Sequence, residues 1–289
     1  MSNRINVSDF DLARTLECGQ AFRWKRDADG RFEGIVGKTV WRLRQPSPHE
    51  LDWDVVSPFN HRPSPIAVNR YLALDVTLTD ILATFPKDPL LRQATKDHHG
   101  LRVIRQEPWE CLASFIASSS KQIVQIRQIV SLLSQRFGEP IDDAHHTFAT
   151  VSAIASATHE QLWDCKLGFR AKNLLAAARL IDSGKLDLDA LPSMEYERAL
   201  EELVKLPGVG EKIANCTLLF ACGFDHAFPI DVWIERALRR IYFPNHKRVT
   251  ARELRHFTRN HFGPYAGWAQ QYLFFNERSQ KRTLVSSQR

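Results

Sequence analysis

Apolar and polar positions change their period once along this chain. Up to about Leu74, short apolar runs alternate with turn residues. Ala21-Phe22-Arg23-Trp24-Lys25 leads into Asp27-Ala28-Asp29-Gly30, and Phe32-Glu33-Gly34-Ile35-Val36 and Lys38-Thr39-Val40-Trp41-Arg42-Leu43 follow. Runs of this length, rich in aromatic and β-branched residues and divided by Gly and Asp, predict antiparallel strands joined by tight turns. Arg62-Pro63-Ser64-Pro65 reads as a loop. After about Asp75 the period becomes helical. Pro108 suits a first helical position, where its missing N–H costs nothing. Leu112, Phe115, Ile116, Ile123, Ile126 and Ile129 follow it at near-helical spacing. Further helices are predicted at 127–137, 159–165, 171–183, 194–205, 210–222, 232–242, 251–261 and 264–277. The polar tail from Ser279 onward predicts a frayed end. The pattern therefore predicts an α+β chain, with a small β-rich domain packed on a larger helical one.

Composition sharpens this picture in places. At roughly 150 residues per domain, the length suggests about two domains, and 44% hydrophobic residues suffice for a packed core. The net charge of +6, from 39 basic and 33 acidic residues, suits a polyanionic partner but singles none out alone. Residues 1–9 are polar and lack the apolar centre of a secretory signal. No apolar stretch is long enough to span a bilayer. The expectation is a soluble intracellular protein, in cytoplasm, nucleoid or nucleus, with no membrane partner. Five cysteines (Cys18, Cys111, Cys165, Cys216 and Cys222) are scattered and never spaced as a metal knuckle. They read as free thiols in a reducing compartment.

The segment richest in chemistry is Leu203-Val204-Lys205-Leu206-Pro207-Gly208-Val209-Gly210-Glu211-Lys212-Ile213-Ala214. One helix ends near Lys205, Pro207 and two glycines make a tight hairpin, and a second helix begins near Gly210. Glycine lets the backbone turn through positive φ and approach another chain closely. The amides opening the second helix have no intrahelical partners, and such a helix start attracts phosphate. The hairpin can thus hold DNA through Gly208 and Gly210 without reading bases. Lys212 lies in the first turn, where the macrodipole disfavours a cation, a setting that suits a nucleophilic amine. Its plainer alternative is a solvated surface lysine. Beyond it comes Phe228-Pro229-Ile230-Asp231-Val232-Trp233, in which Asp231 falls at a helix N-cap, a preferred place for aspartate whatever the function.

Hairpin, lysine, Gly/Pro-rich loop and aspartate, in this order, resemble the helix-hairpin-helix (HhH-GPD) glycosylase superfamily. Cys18-Gly19-Gln20-Ala21-Phe22-Arg23-Trp24, Leu74-Asp75-Val76-Thr77-Leu78, Arg105-Gln106-Glu107-Pro108-Trp109-Glu110-Cys111-Leu112 and Gly263-Pro264-Tyr265-Ala266-Gly267-Trp268-Ala269-Gln270 are similar to blocks of the eukaryotic-type 8-oxoguanine DNA glycosylases. The resemblance runs from about residue 10 to 277. It implies a TBP-like antiparallel β domain over residues 1–95. Residues 96–289 would form the helical HhH-GPD domain, with two helical subdomains flanking an active-site cleft. The implied activity is that of a bifunctional DNA glycosylase/AP lyase of base excision repair. Such an enzyme flips 8-oxoguanine out of duplex DNA, attacks C1′ with a lysine, and proceeds through a Schiff base to β-elimination. The resemblance implies no required cofactor and a monomer acting on double-stranded DNA that contains oxidised guanine.

Residue by residue, the resemblance assigns the nucleophile to Lys212. Asp231 would stabilise the oxocarbenium-like charge and help take a proton from the amine. Cys216, one helical turn beyond Lys212, would lie against the base and pair with the lysine; a buried small thiol is the plainer reading. Phe274 would stack on the base and Gln270 would read its Watson–Crick edge. The carbonyl of Gly19 would accept the N7 proton that 8-oxoguanine has and guanine lacks. Phe220 would back the base, with core packing an equal alternative. Arg170 matches one of two arginines that hold the estranged cytosine. The other is replaced by Gln125, the gap-filling asparagine by Ser120, and a phosphate-side histidine by Trp233. The resemblance further implies a hairpin able to hold a monovalent or calcium ion through the carbonyls of Val204, Leu206 and Val209.

Two alternatives remain beside this reading. A monofunctional glycosylase for alkylated bases would use Asp231 with water and would not need Lys212. A non-catalytic DNA-binding module would need only the hairpin. An iron–sulfur glycosylase is excluded, because it needs four clustered cysteines near the C-terminus and none lies beyond Cys222.

Overall fold

The computed structural model describes residues 3–58, 64–246 and 248–286, with side chains described to Gln280. Five antiparallel strands form one sheet: β1 (Asn3–Asn6), β2 (Trp24–Arg26), β3 (Phe32–Val36), β4 (Thr39–Ser47) and β5 (Glu50–Ser57), in the order β1-β5-β4-β3-β2. The alternation of β4 and β5 puts Trp41, Leu43, Leu51, Trp53 and Val55 on one buried face. Helices α1 (Leu12–Glu17) and α2 (Pro65–Tyr71) cover that face with Leu12, Leu16, Val68 and Tyr71. Gly34 pairs with Trp24 across β2 and β3, and a Cβ there would lie 2.4 Å from the indole. Only glycine lets that ring lie flat on the sheet.

Two strands and both of these helices go beyond the expected elements. Strand β1 is a half-buried edge whose Arg4 pairs with Glu50 and Asp52 of β5 at 2.8 and 2.7 Å. In the expected loop, Ser64 N-caps α2 and Pro65 enters its first turn. Arg62 and Pro63 lie outside the described residues.

The remaining chain is helical: α3 (Leu78–Ala83), α4 (Pro89–Asp97), α5 (Pro108–Ser118), α6 (Ile123–Phe137), α7 (Val151–Ala155), α8 (His159–Leu162), α9 (Arg170–Asp182), α10 (Tyr196–Val204), α11 (Glu211–Ala221), α12 (Val232–Tyr242), α13 (Ala251–His261) and α14 (Ala266–Ser286). The near-helical apolar spacing after Pro108 does not make one helix. It breaks at residues 119–122, where Ser120 takes φ of 55°. After α8 comes a π turn over Trp163–Leu167, and left-handed Lys166 and Gly168 then lead to Phe169. The tail expected to fray continues α14 to Ser286 instead.

Three cores result. One lies beneath the sheet, and a second joins α5, α6, α9, α10 and α11. The third joins α4, α12, α13 and α14 with Cys18. Burial does not divide at a single chain position: Phe22 belongs to the helical core and Ile104 to the sheet core. No helix among the described residues is long and apolar enough to cross a membrane.

Candidate active site

The hairpin between α10 and α11 is built from backbone turns. The Leu206 amide donates to the Leu203 carbonyl, and the Val209 amide to the Leu206 carbonyl, both at 3.1 Å. Gly208 has φ of 78°, and a Cβ there would lie 2.6 Å from the Asn173 side chain. Gly210 N-caps α11 with extended backbone, and the space around its α-carbon is open. No side chain caps that helix start, so its first amides face outward as an anion site requires. Among the described residues, the carbonyls of Val204 and Val209 take no bond from a backbone amide outside the helices. The Leu206 carbonyl keeps one lone pair beside its turn bond. Carbonyl oxygens of this kind fit a hard cation. No cluster of His, Cys, Asp and Glu among the described residues could hold a metal ion.

Lys212 stands in the first turn of α11. Its Nζ lies 4.7 Å from the centroid of the Phe115 ring, and its charge acts on the Cys216 thiol one turn further along α11. Burial pushes that thiol up to about 11, against the pull of the Lys212 charge. Phe115 is the middle of an aromatic column, edge-on to Phe22 and stacked on Phe220, with centroids 5.6 Å apart in both pairs. Phe220 is therefore a core residue one ring removed from the lysine.

Asp231 N-caps α12. Its Oδ1 accepts from the amides of Trp233 at 3.0 Å and Ile234 at 2.8 Å, so the cap leaves Oδ2 unused. Burial raises the carboxyl above its usual range, opposed by the Ile234 amide and the charge of Lys212. Lysine, thiol and carboxylate are thus electrostatic neighbours where α11 meets α12. Trp233 is half-buried just inside the cap. The start of α14 is locked to the preceding loop, because the Gly267 amide donates to the Asp225 carbonyl and the Trp268 indole to the Asp225 carboxylate.

The expected base pocket draws on both ends of the chain. Gly19 follows α1 with φ of 94°. A Cβ there would lie 2.9 Å from Ile123, 3.0 Å from the Arg278 guanidinium and 3.4 Å from the Phe274 ring. Phe274 is thus beside Gly19. Gln270, on the same helix, is buried, and its Oε1 has no partner among the described residues. A buried acceptor without a donor costs about 1–3 kcal/mol, a debt that a bound ligand with N–H groups would cancel.

Gln20 fixes the Gly19 loop. Its side chain donates to the carbonyls of Thr15 (2.8 Å) and Arg102 (2.7 Å) and accepts from the Ile104 amide (2.9 Å). Gln106 then bridges two parts of the site. Its side chain donates to the Gln20 carbonyl at 2.7 Å, and its amide to the Phe220 carbonyl on α11 at 2.6 Å.

The residues expected to face the opposite base are engaged within the protein. Arg170 is not a free arm. It is only 4% exposed, donates to the carbonyls of Ser119 and Leu167, and lies 4.2 Å from the Phe169 ring centroid. Without DNA it holds the turn that carries exposed, left-handed Ser120. Gln125 is turned to its own helix start, where its Oε1 accepts from the Gln122 amide at 3.0 Å. Reasoning from sequence missed Phe115, Gln106, Phe169 and Arg278. Only Phe169 carried a usable signal, an aromatic flanked by glycine and arginine; it is 63% exposed.

A hairpin-borne lysine facing a helix-capping carboxylate, beside an aromatic slot, defines a helix-hairpin-helix DNA glycosylase. Residues 113–260 match the HhH-GPD superfamily of base excision DNA repair proteins, and residues 3–112 match the 8-oxoguanine DNA glycosylase N-terminal domain. The chain belongs to this superfamily and carries the 8-oxoguanine glycosylase type of N-terminal domain. It is 30% identical to the N-glycosylase/DNA lyase of Saccharomyces cerevisiae, over 94% of this chain and 85% of the yeast protein. It is also similar to the Clostridium acetobutylicum 8-oxoguanine glycosylase/lyase solved with double-stranded DNA containing cytosine opposite 8-oxoguanine. That likeness has a TM-score of 0.88 and 30% identity, and covers 97% of this chain and 98% of the clostridial one. MBOgg1 in complex with a low-affinity DNA ligand superimposes with a TM-score of 0.89 and 30% identity, covering 97% and 99%.

Proposed function

We propose that this chain is a bifunctional DNA glycosylase and AP lyase that excises 8-oxoguanine from duplex DNA in base excision repair. The observation that carries this reading is the placement of Lys212 in the first turn of α11, with Cys216 one turn beyond it, and of Asp231 as the N-cap of α12, the three being electrostatic neighbours.

Each role follows from that arrangement. The α11 start holds phosphate through its amides at Gly208 and Gly210, with Trp233 supplying an indole donor. Extruding a base costs a few kcal/mol. Ser120 and the exposed ring of Phe169 occupy the gap, as apolar wedges do between base steps. The base enters between Phe274 and Cys216, where Gln270 bonds its Watson–Crick edge and the Gly19 carbonyl takes the N7 proton. Phe220 supports this wall through Phe115.

As the glycosidic bond breaks, its electron pair leaves with the base, and Asp231 stabilises the cationic sugar. Lys212 sheds a proton toward Asp231, its free amine forms the new bond to C1′, and the second proton released on bonding passes to the departing base. Opening of the sugar gives the Schiff base. Loss of a C2′ proton then expels the 3′ phosphate by β-elimination. The residues implicated need no cofactor, and an ion at Val204, Leu206 and Val209 would only brace the hairpin. The protein acts as an intracellular monomer on double-stranded DNA, with residues 1–95 and 96–289 as its two working parts.

Borohydride trapping on a duplex containing 8-oxoguanine tests the reading. The wild-type chain becomes covalently linked, and Lys212→Gln does not, while keeping duplex affinity. Equal trapping by Lys212→Gln removes the lysine from the mechanism. Base release without any trapped species supports a monofunctional enzyme instead.

A further inference from the structure

Helix α14 does more than present Gln270 and Phe274. Gln271 and Arg278 of the same helix both donate to the Cys18 carbonyl, at 3.4 and 3.2 Å. The Arg278 guanidinium lies against the α-carbon of Gly19 and 5.9 Å from the Phe274 ring centroid. On the other side of Gly19, the Gln20 carbonyl accepts from Gln106 and the Gln20 side chain makes three further bonds. The peptide joining Gly19 to Gln20 therefore lies between two pinned peptide units, with the freely turning α-carbon of Gly19 on one side of it.

That position is sensitive. Peptide units are planar, so holding the Cys18 carbonyl fixes the amide and α-carbon of Gly19. Glycine at positive φ rotates freely where other residues would not. If the peptide after Gly19 turned over, the pocket would face an N–H of Gln20 in place of the Gly19 carbonyl. An N–H suits the bare N7 lone pair of guanine and repels the N7 proton of 8-oxoguanine. Lesion choice thus depends on which way one peptide points.

We infer that Arg278 is a specificity-determining positioning residue, which holds the peptide joining Cys18 to Gly19 so that the Gly19 carbonyl faces the lesion. The inference rests on the proposed 8-oxoguanine pocket. Arg278 need not touch the base. It acts through the carbonyl before Gly19, and its charge strengthens that bond.

The test is a ratio of rates in the full-length protein. Single-turnover excision is measured on duplexes carrying 8-oxoguanine or 8-methoxyguanine, which keeps a C8 substituent but has no N7 proton. Wild type favours 8-oxoguanine. Arg278→Leu lowers that preference by about tenfold, the size of one charge-assisted hydrogen bond, mainly through slower excision of 8-oxoguanine. Arg278→Lys, which retains a cationic donor, recovers part of the preference and serves as the test should the leucine variant fail to fold. A fall in both rates with the ratio unchanged overturns the inference and leaves Arg278 a structural residue. A wild-type enzyme that does not separate the two lesions overturns the reading of the pocket itself, and the inference with it.

Discussion

The charge of Lys212 acts on the thiol of Cys216, one turn further along α11, and the thiol is the neutral member of that pair. Burial holds it near 11, so it stays protonated at neutral pH even beside a lysine. Lys212 is therefore not locked to a thiolate. Its Nζ rests over the face of Phe115, a contact that leaves the amine's own donors free of any strong acceptor among the described residues.

The first prediction follows from that protonation state. The thiolate is the species that alkylates, and burial raises the pKa of Cys111, Cys216 and Cys222 alike. Treatment with iodoacetamide at pH 8 should leave these three cysteines unmodified in the folded protein and modify them after denaturation. Mass spectrometry of tryptic peptides reads the result. Fast labelling of Cys216 in the native state would show that the amine ionises the thiol after all.

Asp231→Asn should separate the cap from the chemistry. Asparagine is an equally good N-cap, and it mimics the protonated acid. The folded carboxyl titrates above its ordinary value of 3.8. Its contribution to stability is thus present at low pH and lost as pH rises through the folded value. At pH 7 the asparagine variant should be at least as stable as wild type, with the advantage fading toward pH 3. Excision should fall by about 10²–10³-fold, the scale of losing one preorganised electrostatic partner. Thermal unfolding against pH, together with single-turnover rates, measures both. A variant clearly less stable at pH 7 would mean that the carboxylate is a net support of the fold.

The two hairpin glycines should fail in different ways. Gly208→Ala forces a side chain into left-handed backbone, worth about 1–2 kcal/mol, and drives its Cβ against Asn173. It should lower the melting temperature. Gly210→Ala meets open space at φ of −91°, and as a poorer N-cap should cost up to about 1 kcal/mol. Its larger effect should be on DNA, because the new methyl group stands where a phosphate approaches. Scanning fluorimetry and fluorescence anisotropy on a duplex give the two readouts. Wild-type affinity in Gly210→Ala would move the phosphate site elsewhere.

Opposite-base preference should be loose. Arg170 is committed to the Ser119 turn and Gln125 to its helix cap, so neither presents a bidentate fork to an estranged cytosine. One such contact is worth about 1–3 kcal/mol of discrimination. Wild type should therefore separate cytosine from the other three partners by less than a hundredfold, about the upper end of that range. Gln125→Arg should widen the gap. Single-turnover rates against all four partners settle this, and a strong wild-type preference for cytosine would defeat it.

What the sequence made legible was chiefly local. The hairpin, Lys212 and the Asp231 cap occupy short segments whose turns and caps are written in neighbouring residues. So are α12 and α13, whose expected spans match Val232–Tyr242 and Ala251–His261. Strand β1 was not legible, because Asn3–Asn6 is a half-buried polar edge held by its pairing with β5. The break between α5 and α6 was hidden by an apolar spacing that continues across it. Arg278 fell between the expected last helix, ending at 277, and the tail expected to fray from Ser279. Its meaning comes from Cys18, a contact across 260 positions that no local pattern records. The posture of Arg170 was equally hidden, since it depends on the carbonyl of Ser119 in the turn after α5.

The cluster of Gly19, Phe274 and Arg278 joins α14 to the loop after α1, and Tyr272 of α14 also bonds the Leu101 carbonyl. Synthesis runs from the N-terminus, so the hairpin, Lys212 and Asp231 leave the ribosome before the helix that selects their target. Contacts this distant in sequence form late and slowly. Until α14 docks, Lys212 and Asp231 stand without the wall that Gln270 and Phe274 supply. The site is therefore whole only when the last helix has closed on the first, so that local assembly of the hairpin is not enough to complete it.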